Sequence, residues 1–350
     1  MSYQTHIFSE SSLDEDFEYC RRQIVTGSRS FHSASLLLPR SLRRDVYALY
    51  AFCRASDDLV DVTGGGAQVI RSLRDRLDFI FGGCPMEASV DRALADVVAR
   101  HALPYQPIAA LIEGMEWDTR GFTCETFDDV LAYSTRVAGS VGAMMAALMG
   151  ARSRILLDRA CDLGIAMQIT NIVRDIGEDA RNGRLYIPRA WFREADVDPD
   201  AWLKEPVWTP VIGGFAKRLL VEADRLYRRS EAGIAALPAS CRPAILSARL
   251  IYADIGRVVA EQGHDSVNVR ARVTGLRKLR LLAEACIRSI ATLAPTPDEE
   301  PGVAQARYLI ESILREQPRR APDRSWPDRV IWVAELFAEL AQRERTRGVV

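Results

Sequence analysis

Gln168-Ile169-Thr170-Asn171-Ile172-Val173-Arg174-Asp175-Ile176-Gly177-Glu178-Asp179 carries polar side chains at helical spacing. Gln168, Asn171, Asp175 and Asp179 fall within about 80° of one another on a helical wheel. Ile165, Ala166, Met167, Ile169, Ile172 and Val173 surround them. A polar stripe on an otherwise apolar helix predicts a helix inside a bundle, with the stripe facing a cavity or groove and not bulk water. Arg43 to Asp61 repeats the anatomy. Val46, Leu49, Tyr50, Cys53 and Leu59 form an apolar face, Tyr50, Arg54, Asp57 and Asp61 share one side with Asp58 adjacent, and the run stops at Gly64-Gly65-Gly66.

Outward from these two segments, apolar residues recur at three and four, and no convincing stretch alternates with period two. The fold class is all-α. Further helices are predicted over residues 14–26, 68–81, 90–101, 104–119, 127–149, 153–180, 207–237, 242–263 and 276–293. There is no internal repeat. The one composition shift, Ala294 to Pro301, holds three prolines and three acids. It divides a single helical domain, residues 1–293, from an appendix, 294–350, with helices predicted near Val303 to Arg315 and Val330 to Arg345.

Composition excludes several function classes. Of 350 residues, 48% are hydrophobic and 27% charged, so a large core is within reach and disorder is not. Forty-six basic residues against 47 acidic ones leave a net charge of −1, giving no whole-protein field for nucleic acid or an anionic membrane. The longest nearly apolar stretch, Val137 to Ala151, holds Ser140 and three glycines and falls short of the roughly 20 residues of a membrane span. Met1 to Glu18 carries five acids and no basic or apolar signal, so a cytoplasmic location is expected. Seven widely spaced cysteines and four scattered histidines indicate neither a disulfide frame nor a zinc site. No P-loop, G-x-S-x-G or dinucleotide fingerprint occurs, so no nicotinamide cofactor is expected.

Carboxylate spacing is what remains. Asp-x-x-x-Asp sets two carboxylates one turn apart on one helical face, which suits Mg²⁺. With 26 aspartates, about two such pairs would occur by chance, and four are present. Asp196/Asp200 flanks Pro199, which argues for a loop. In Asp158/Asp162, Asp162 points roughly 220° around from Asp175 and Arg154 and Arg159 lie nearby, which reads as a solvated face. Asp57/Asp61 and Asp175/Asp179 keep polar neighbours. Asp57, Asp58 and Asp61 precede a triple glycine, and Glu178 and Asp179 precede Arg181-Asn182-Gly183. Carboxylates in a last turn oppose the helix dipole by about 0.3–1 kcal/mol each. Bound divalent cations would reverse that sign, while solvent-exposed charge is the plain alternative. If the clusters face each other, several Mg²⁺ ions and a diphosphate fit between them. Arg54, Arg29 and the run from Arg270 to Arg280 are candidate counter-ions, although 43 of the 46 basic residues are Arg, which weakens any single assignment. The small residues Val137-Ala138-Gly139-Ser140-Val141-Gly142-Ala143 serve either close helix packing or a smooth wall for a long hydrocarbon.

Taken together, these segments resemble the squalene/phytoene synthase family. Gly27-Ser28-Arg29-Ser30-Phe31 with Leu36-Leu37-Leu38-Pro39 is similar to its opening segment. Tyr50-Ala51-Phe52-Cys53-Arg54 leading into Asp57-Asp58-Leu59-Val60-Asp61 is similar to its first aspartate motif. Val137 to Gly142, Gln168 to Asp179 and Gly183-Arg184-Leu185-Tyr186-Ile187-Pro188 match in turn, so the resemblance spans residues 14 to about 285. It implies an isoprenoid-synthase bundle around a central cavity and head-to-head joining of two geranylgeranyl diphosphates through prephytoene diphosphate to phytoene. It further implies that Asp57, Asp58, Asp61, Asn171, Asp175, Glu178 and Asp179 surround Mg²⁺ (or Mn²⁺), with Asp57, Asp61, Asp175, Asp179, Arg54 and Tyr186 as the catalytic set. Ser28, Arg29, Ser30, Phe31, Tyr50, Tyr133, Ala138, Gly142, Gln168, Asn171, Tyr252 and Arg270 would bind substrate. Two departures stand out: Tyr133-Ser134-Thr135-Arg136 replaces the usual Tyr-Cys-Tyr segment, and Arg272 replaces an aromatic residue. Alternatives are a squalene or dehydrosqualene synthase using farnesyl diphosphate, and a non-catalytic helical lipid-binding or assembly protein. A water-insoluble product implies peripheral contact with the cytoplasmic membrane and handover to a carotenoid desaturase.

Overall fold

The structure, a computed structural model, describes residues 10–63, 66–291 and 300–316. In chain order the helices are α1 (Glu10–Gly27), α2 (Arg29–Ser35), α3 (Arg40–Thr63), α4 (Ala67–Phe81), α5 (Ser89–His101), α6 (Tyr105–Thr119), α7 (Phe127–Ser134), α8 (Ser140–Leu148) and α9 (Arg154–Arg181). There follow α10 (Arg189–Glu194), α11 (Pro199–Lys204), α12 (Pro210–Ala236), α13 (Arg242–Glu261), α14 (Gly275–Ala291) and α15 (Arg307–Arg315). No strand occurs among the described residues. The all-α expectation holds.

Three short helices, α2, α10 and α11, escape a periodicity search because each is too brief to repeat. Local chemistry explains them. Ser28 accepts the Phe31 N–H at 3.3 Å and caps α2. Pro199, expected to interrupt a helix, instead opens α11 behind the cap residue Asp198, where a missing N–H costs nothing. Asp196 does lie in a turn, with φ 55°, but Asp200 sits in the first turn of α11. The helix predicted over 127–149 is interrupted by a π-helical turn at Thr135–Gly139.

α9 is the axis of the bundle, with α8, α12 and α13 packed along it. α8 approaches so closely that a Cβ on Gly142 would collide with the Ala160 carbonyl, and one on Gly164 with that of Ala138. A second group, α1, α3 and α5, is joined by buried charge. Arg92 of α5 reaches Asp16 of α1 at 2.5 Å, and Arg100 and His101 reach Asp45 of α3 at 2.6 and 2.7 Å. Burial opposes ionisation of Asp45, yet the bonds from His101 and Arg100 hold it below the ordinary carboxylate range.

The solvated-face reading of Asp158/Asp162 is overturned at Asp162. Its side chain is fully buried, 2.7 Å from Arg159 and 3.2 Å from Arg229. Burial pushes its carboxyl up to about 6 against the pull of Arg229 and Arg159. The cause is tertiary: residues 300–316 lie across α9, with Arg159 donating to the Glu300 carbonyl and Arg229 to that of Pro301 at 2.5 Å. The helix predicted at Val330 to Arg345 lies outside the described residues. Among those described, no helix is long and apolar enough to cross a membrane.

Arg76 of α4 grips the fully buried Asp91 of α5 at 2.5 and 3.0 Å. Removing one partner strands the other charge, so Asp91→Ala should lower the unfolding free energy in urea by about 3–5 kcal/mol. A loss under about 1 kcal/mol, the range of exposed pairs, would show that solvent relaxes the pair.

Candidate active site

A cavity of about 330 Å³ lies among α2, α3, α8, α9, α12 and α13, walled by side chains such as Leu38, Leu49, Met145, Leu163, Met167 and Ile234. Both polar stripes reach it. Tyr50 and Cys53 of α3 and Gln168 and Asn171 of α9 line its wall. About one turn further along each helix come Asp57 and Asp175. Phe31 of α2 bridges the two sides, its ring 6.3 Å from that of Tyr50 and 5.5 Å from that of Tyr252. Burial pushes the Tyr252 phenol up to about 12, with Tyr50 and Asp175 adding to the rise and Arg174 opposing it. Burial likewise raises Tyr50, which feels Asp58 and Asp57. The two acidic turns therefore share one end of the cavity.

Each acidic turn holds arginines. Arg54 lies 2.6 Å from Asp58 and 3.7 Å from Asp57, both half exposed. Arg174 pairs with Asp175 at 2.5 Å, while Arg270 spans Asp175 at 2.8 Å and Glu178 at 2.9 Å. Gly177 makes that last contact reachable. The segment before Arg270 lies flat on α9, where the Gly177 N–H meets the Ser266 carbonyl at 3.0 Å and a Cβ would strike the Val267 carbonyl. Asp179 is the most perturbed acid of the group. Burial pushes it up to about 7, Asp175, Asp118 and Glu178 add repulsion, and Arg184 opposes them.

Asp118 was not among the residues singled out from sequence. It accepts bonds from Tyr133 at 2.8 Å and Tyr186 at 2.6 Å, and these two phenols stack with centroids 4.7 Å apart. It lacks an i+4 partner, but it sits in the last turn of α6, the same dipole anomaly that marks the other acids. Of the sequence candidates, Phe31, Tyr50, Ala138, Gly142, Gln168, Asn171 and Tyr252 lie on the cavity wall. Tyr133 and Tyr186 do not line it; they are buried behind, on Asp118. The Ser28 hydroxyl is engaged as a helix cap. The side chains of Arg29, Ser30 and Asp61 lie outside the described residues.

The donors fit a hard cation. Asn171 Oδ1 is buried without a hydrogen-bond partner, one turn from Asp175, and every neighbouring acid offers oxygen. Among the described residues no three His, Cys, Asp or Glu side chains form a ready-made metal cage. Magnesium does not require one, since it keeps waters and takes its remaining ligands from substrate phosphates. A raised carboxylate pKa means that a cation must displace a proton. With Asp179 near 7, the thermal shift produced by Mg²⁺ should be larger at pH 8 than at pH 6, corresponding to roughly tenfold tighter binding. Without Mg²⁺ the same group binds more protons folded than unfolded, so its contribution makes stability fall between about pH 4 and 7. Differential scanning fluorimetry at both pH values reads both effects, and a pH-independent Mg²⁺ shift would count against Asp179 as a ligand.

With this geometry in place, comparison with known proteins is specific. The squalene/phytoene synthase family profile matches residues 24–277. A phytoene synthase of Cereibacter sphaeroides is 44% identical over 350 residues, covering 95% of this chain and 96% of that protein. A phytoene synthase of Rhodobacter capsulatus is 48% identical over 343 residues, covering 96% of this chain and 98% of that protein. The crystal structure of a dehydrosqualene synthase in complex with ligand superposes with a TM-score of 0.73 at 32% identity, covering 80% of this chain and 99% of the other. The bundle is thus the isoprenoid-synthase fold, and the chain belongs to the squalene/phytoene synthase family.

Proposed function

We propose that the protein is a prenyltransferase that joins two molecules of geranylgeranyl diphosphate head to head, through prephytoene diphosphate, to phytoene, the first step of carotenoid biosynthesis. The observation that carries this reading is an apolar chamber lined by Tyr50 and Cys53 of α3 and by Gln168 and Asn171 of α9, the residues that lead into the two acid-rich turns. Relatives that are phytoene synthases, at 44% and 48% identity, support the choice of product.

A divalent cation, Mg²⁺ or Mn²⁺, held by Asp57, Asp61, Asp175 and Asp179 with Asp58, Asn171 and Glu178 close by, would supply Lewis-acid stabilisation to the departing diphosphate. The chain's own residues do the rest. Arg54 and Arg270, now on carboxylates, present planar forks that match phosphate oxygens once the acids are otherwise neutralised. The apolar wall keeps water from the allylic cation left by C–O cleavage. The Phe31, Tyr50 and Tyr252 rings stand at the border between acids and hydrocarbon, where their faces favour positive charge. Tyr133 and Tyr186 stay neutral, since burial and Asp118 push both phenols above their ordinary range. Each of the two steps expels one diphosphate and one proton, so no reductant is consumed.

Purified protein given geranylgeranyl diphosphate and Mg²⁺, without nicotinamide, should release diphosphate and a C40 hydrocarbon of the mass of phytoene. No hydrocarbon would overturn the reading. The likeness to a dehydrosqualene synthase favours a second reading with C15 farnesyl diphosphate, and equimolar competition decides by product mass. Asp57→Ala and Asp175→Ala should each cut turnover by at least about 10²–10³-fold while leaving the helical circular dichroism intact. Unchanged turnover would remove the metal assignment. The insoluble product further suggests a cytoplasmic protein in peripheral contact with the membrane and handing phytoene to a carotenoid desaturase; co-sedimentation with liposomes tests the contact.

A further inference from the structure

The chamber has a far end as well as an acidic one. Arg159 precedes Asp175 by 16 residues on the same helix, about 24 Å along α9. That is comparable with the reach of a stretched C20 prenyl tail. Between them Ala160, Leu163, Gly164, Met167, Gln168 and Asn171 form one continuous wall. Arg159 is the one charged residue of that lining. It also lines a second pocket, of about 270 Å³, on the other side, formed with Asp158 and residues 300–304. Among the described residues, Arg159 is the one residue that lines both spaces.

That side chain is fixed from two directions. Asp162 binds its guanidinium at 2.7 Å, and the Glu300 carbonyl accepts a second bond from it. Arg229 repeats the arrangement, 3.2 Å from Asp162 and 2.5 Å from the Pro301 carbonyl. The strap itself has no slack, because a Cβ on Gly302 would collide with the Asp158 carboxylate. Residues 300–302 lie beyond the span, 24–277, that the family profile matches, so the strap adds to the core that the profile describes.

We propose that Arg159, pinned by Asp162 and by the backbone of residues 300–301, forms with Leu156 the floor of the chamber and sets the longest prenyl tail that it accepts. A tail reaching past it would have to part a guanidinium from its carboxylate and carbonyl partners, offering only hydrocarbon in exchange. Gly302 and Arg229 act through Arg159 and are positioning residues. The inference rests on the prenyltransferase reading, and the experiment separates the two.

Gly302→Leu in the full-length protein should displace the strap and raise the ratio of kcat/KM for the C25 homologue to that for the C20 substrate by roughly tenfold or more. C20 turnover by that variant reports that it is folded. An unchanged ratio in an active variant overturns the floor. The native protein gives a second test that needs no variant. A C20 thiodiphosphate bearing a diazirine at its ω end, irradiated with Mg²⁺ present, should label peptides containing residues 156–163 or 230–237. Labelling confined to other peptides overturns the floor, whereas absence of C20 turnover by the native protein overturns the function on which it rests.

Discussion

Negative charge gathered at one end of an apolar hole is the constraint on which the rest of this molecule depends. Asp175, Asp179 and Glu178 stand at the end of α9, Asp57 and Asp58 near the end of α3, and Asp118 at the end of α6. Glu178, Asp179 and Asp118 fall in a last turn, where the backbone already carries partial negative charge, and Asp57, Asp58 and Asp175 lie within two turns of a helix end. Such an arrangement persists only when something cationic completes it. Arginines contribute to this, Arg54 on one side and Arg174 and Arg270 on the other. One acid remains under-compensated. Asp179, buried beside Asp175, has its proton affinity raised instead, which is the usual response of a buried carboxylate that lacks a sufficient counter-charge.

The two stripes of α3 and α9 were legible in the sequence because they are local. Spacing along one helix decides which side chains share a face, and an acid in a last turn is anomalous whatever surrounds it. Asp162 was illegible for the complementary reason. Its place on the helical wheel is read correctly, but what covers that face is a segment nearly 140 residues later, and periodicity carries no information about it. Asp118 lies between these cases. The dipole argument marks it, whereas its bonds to Tyr133 and Tyr186 exist only once α6, α7 and the chain after α9 have assembled. The break at Thr135–Gly139 escaped because a π-helical turn keeps the hydrophobic pattern nearly intact while adding a residue to one turn.

The small-residue segment shows that packing and wall were never alternatives. Gly142 meets the backbone of α9 at Ala160 on one side and the cavity on another, as Gly164 does opposite Ala138. Close approach of α8 and α9 removes side chains from the seam, and the seam is then smooth enough to serve as a wall. One geometric fact gives both results.

Arginine abundance had made each Arg weak evidence, and burial is what sorts them. Asp16, Asp45, Asp91 and Asp162 are nearly or wholly excluded from solvent, and their partners are locked with them. Breaking such a pair strands a charge at a cost of about 3–5 kcal/mol. Arg54 and Arg270 are 44% and 45% exposed and each reaches a half-exposed carboxylate, Asp58 and Glu178, in contacts worth about 0–1 kcal/mol. The first set therefore holds the fold, and in the Asp162–Arg159 pair it also fixes one end of the chamber. The second can change partners at almost no cost, which is what a site needs if its own cations must step from carboxylate to diphosphate each time a substrate arrives.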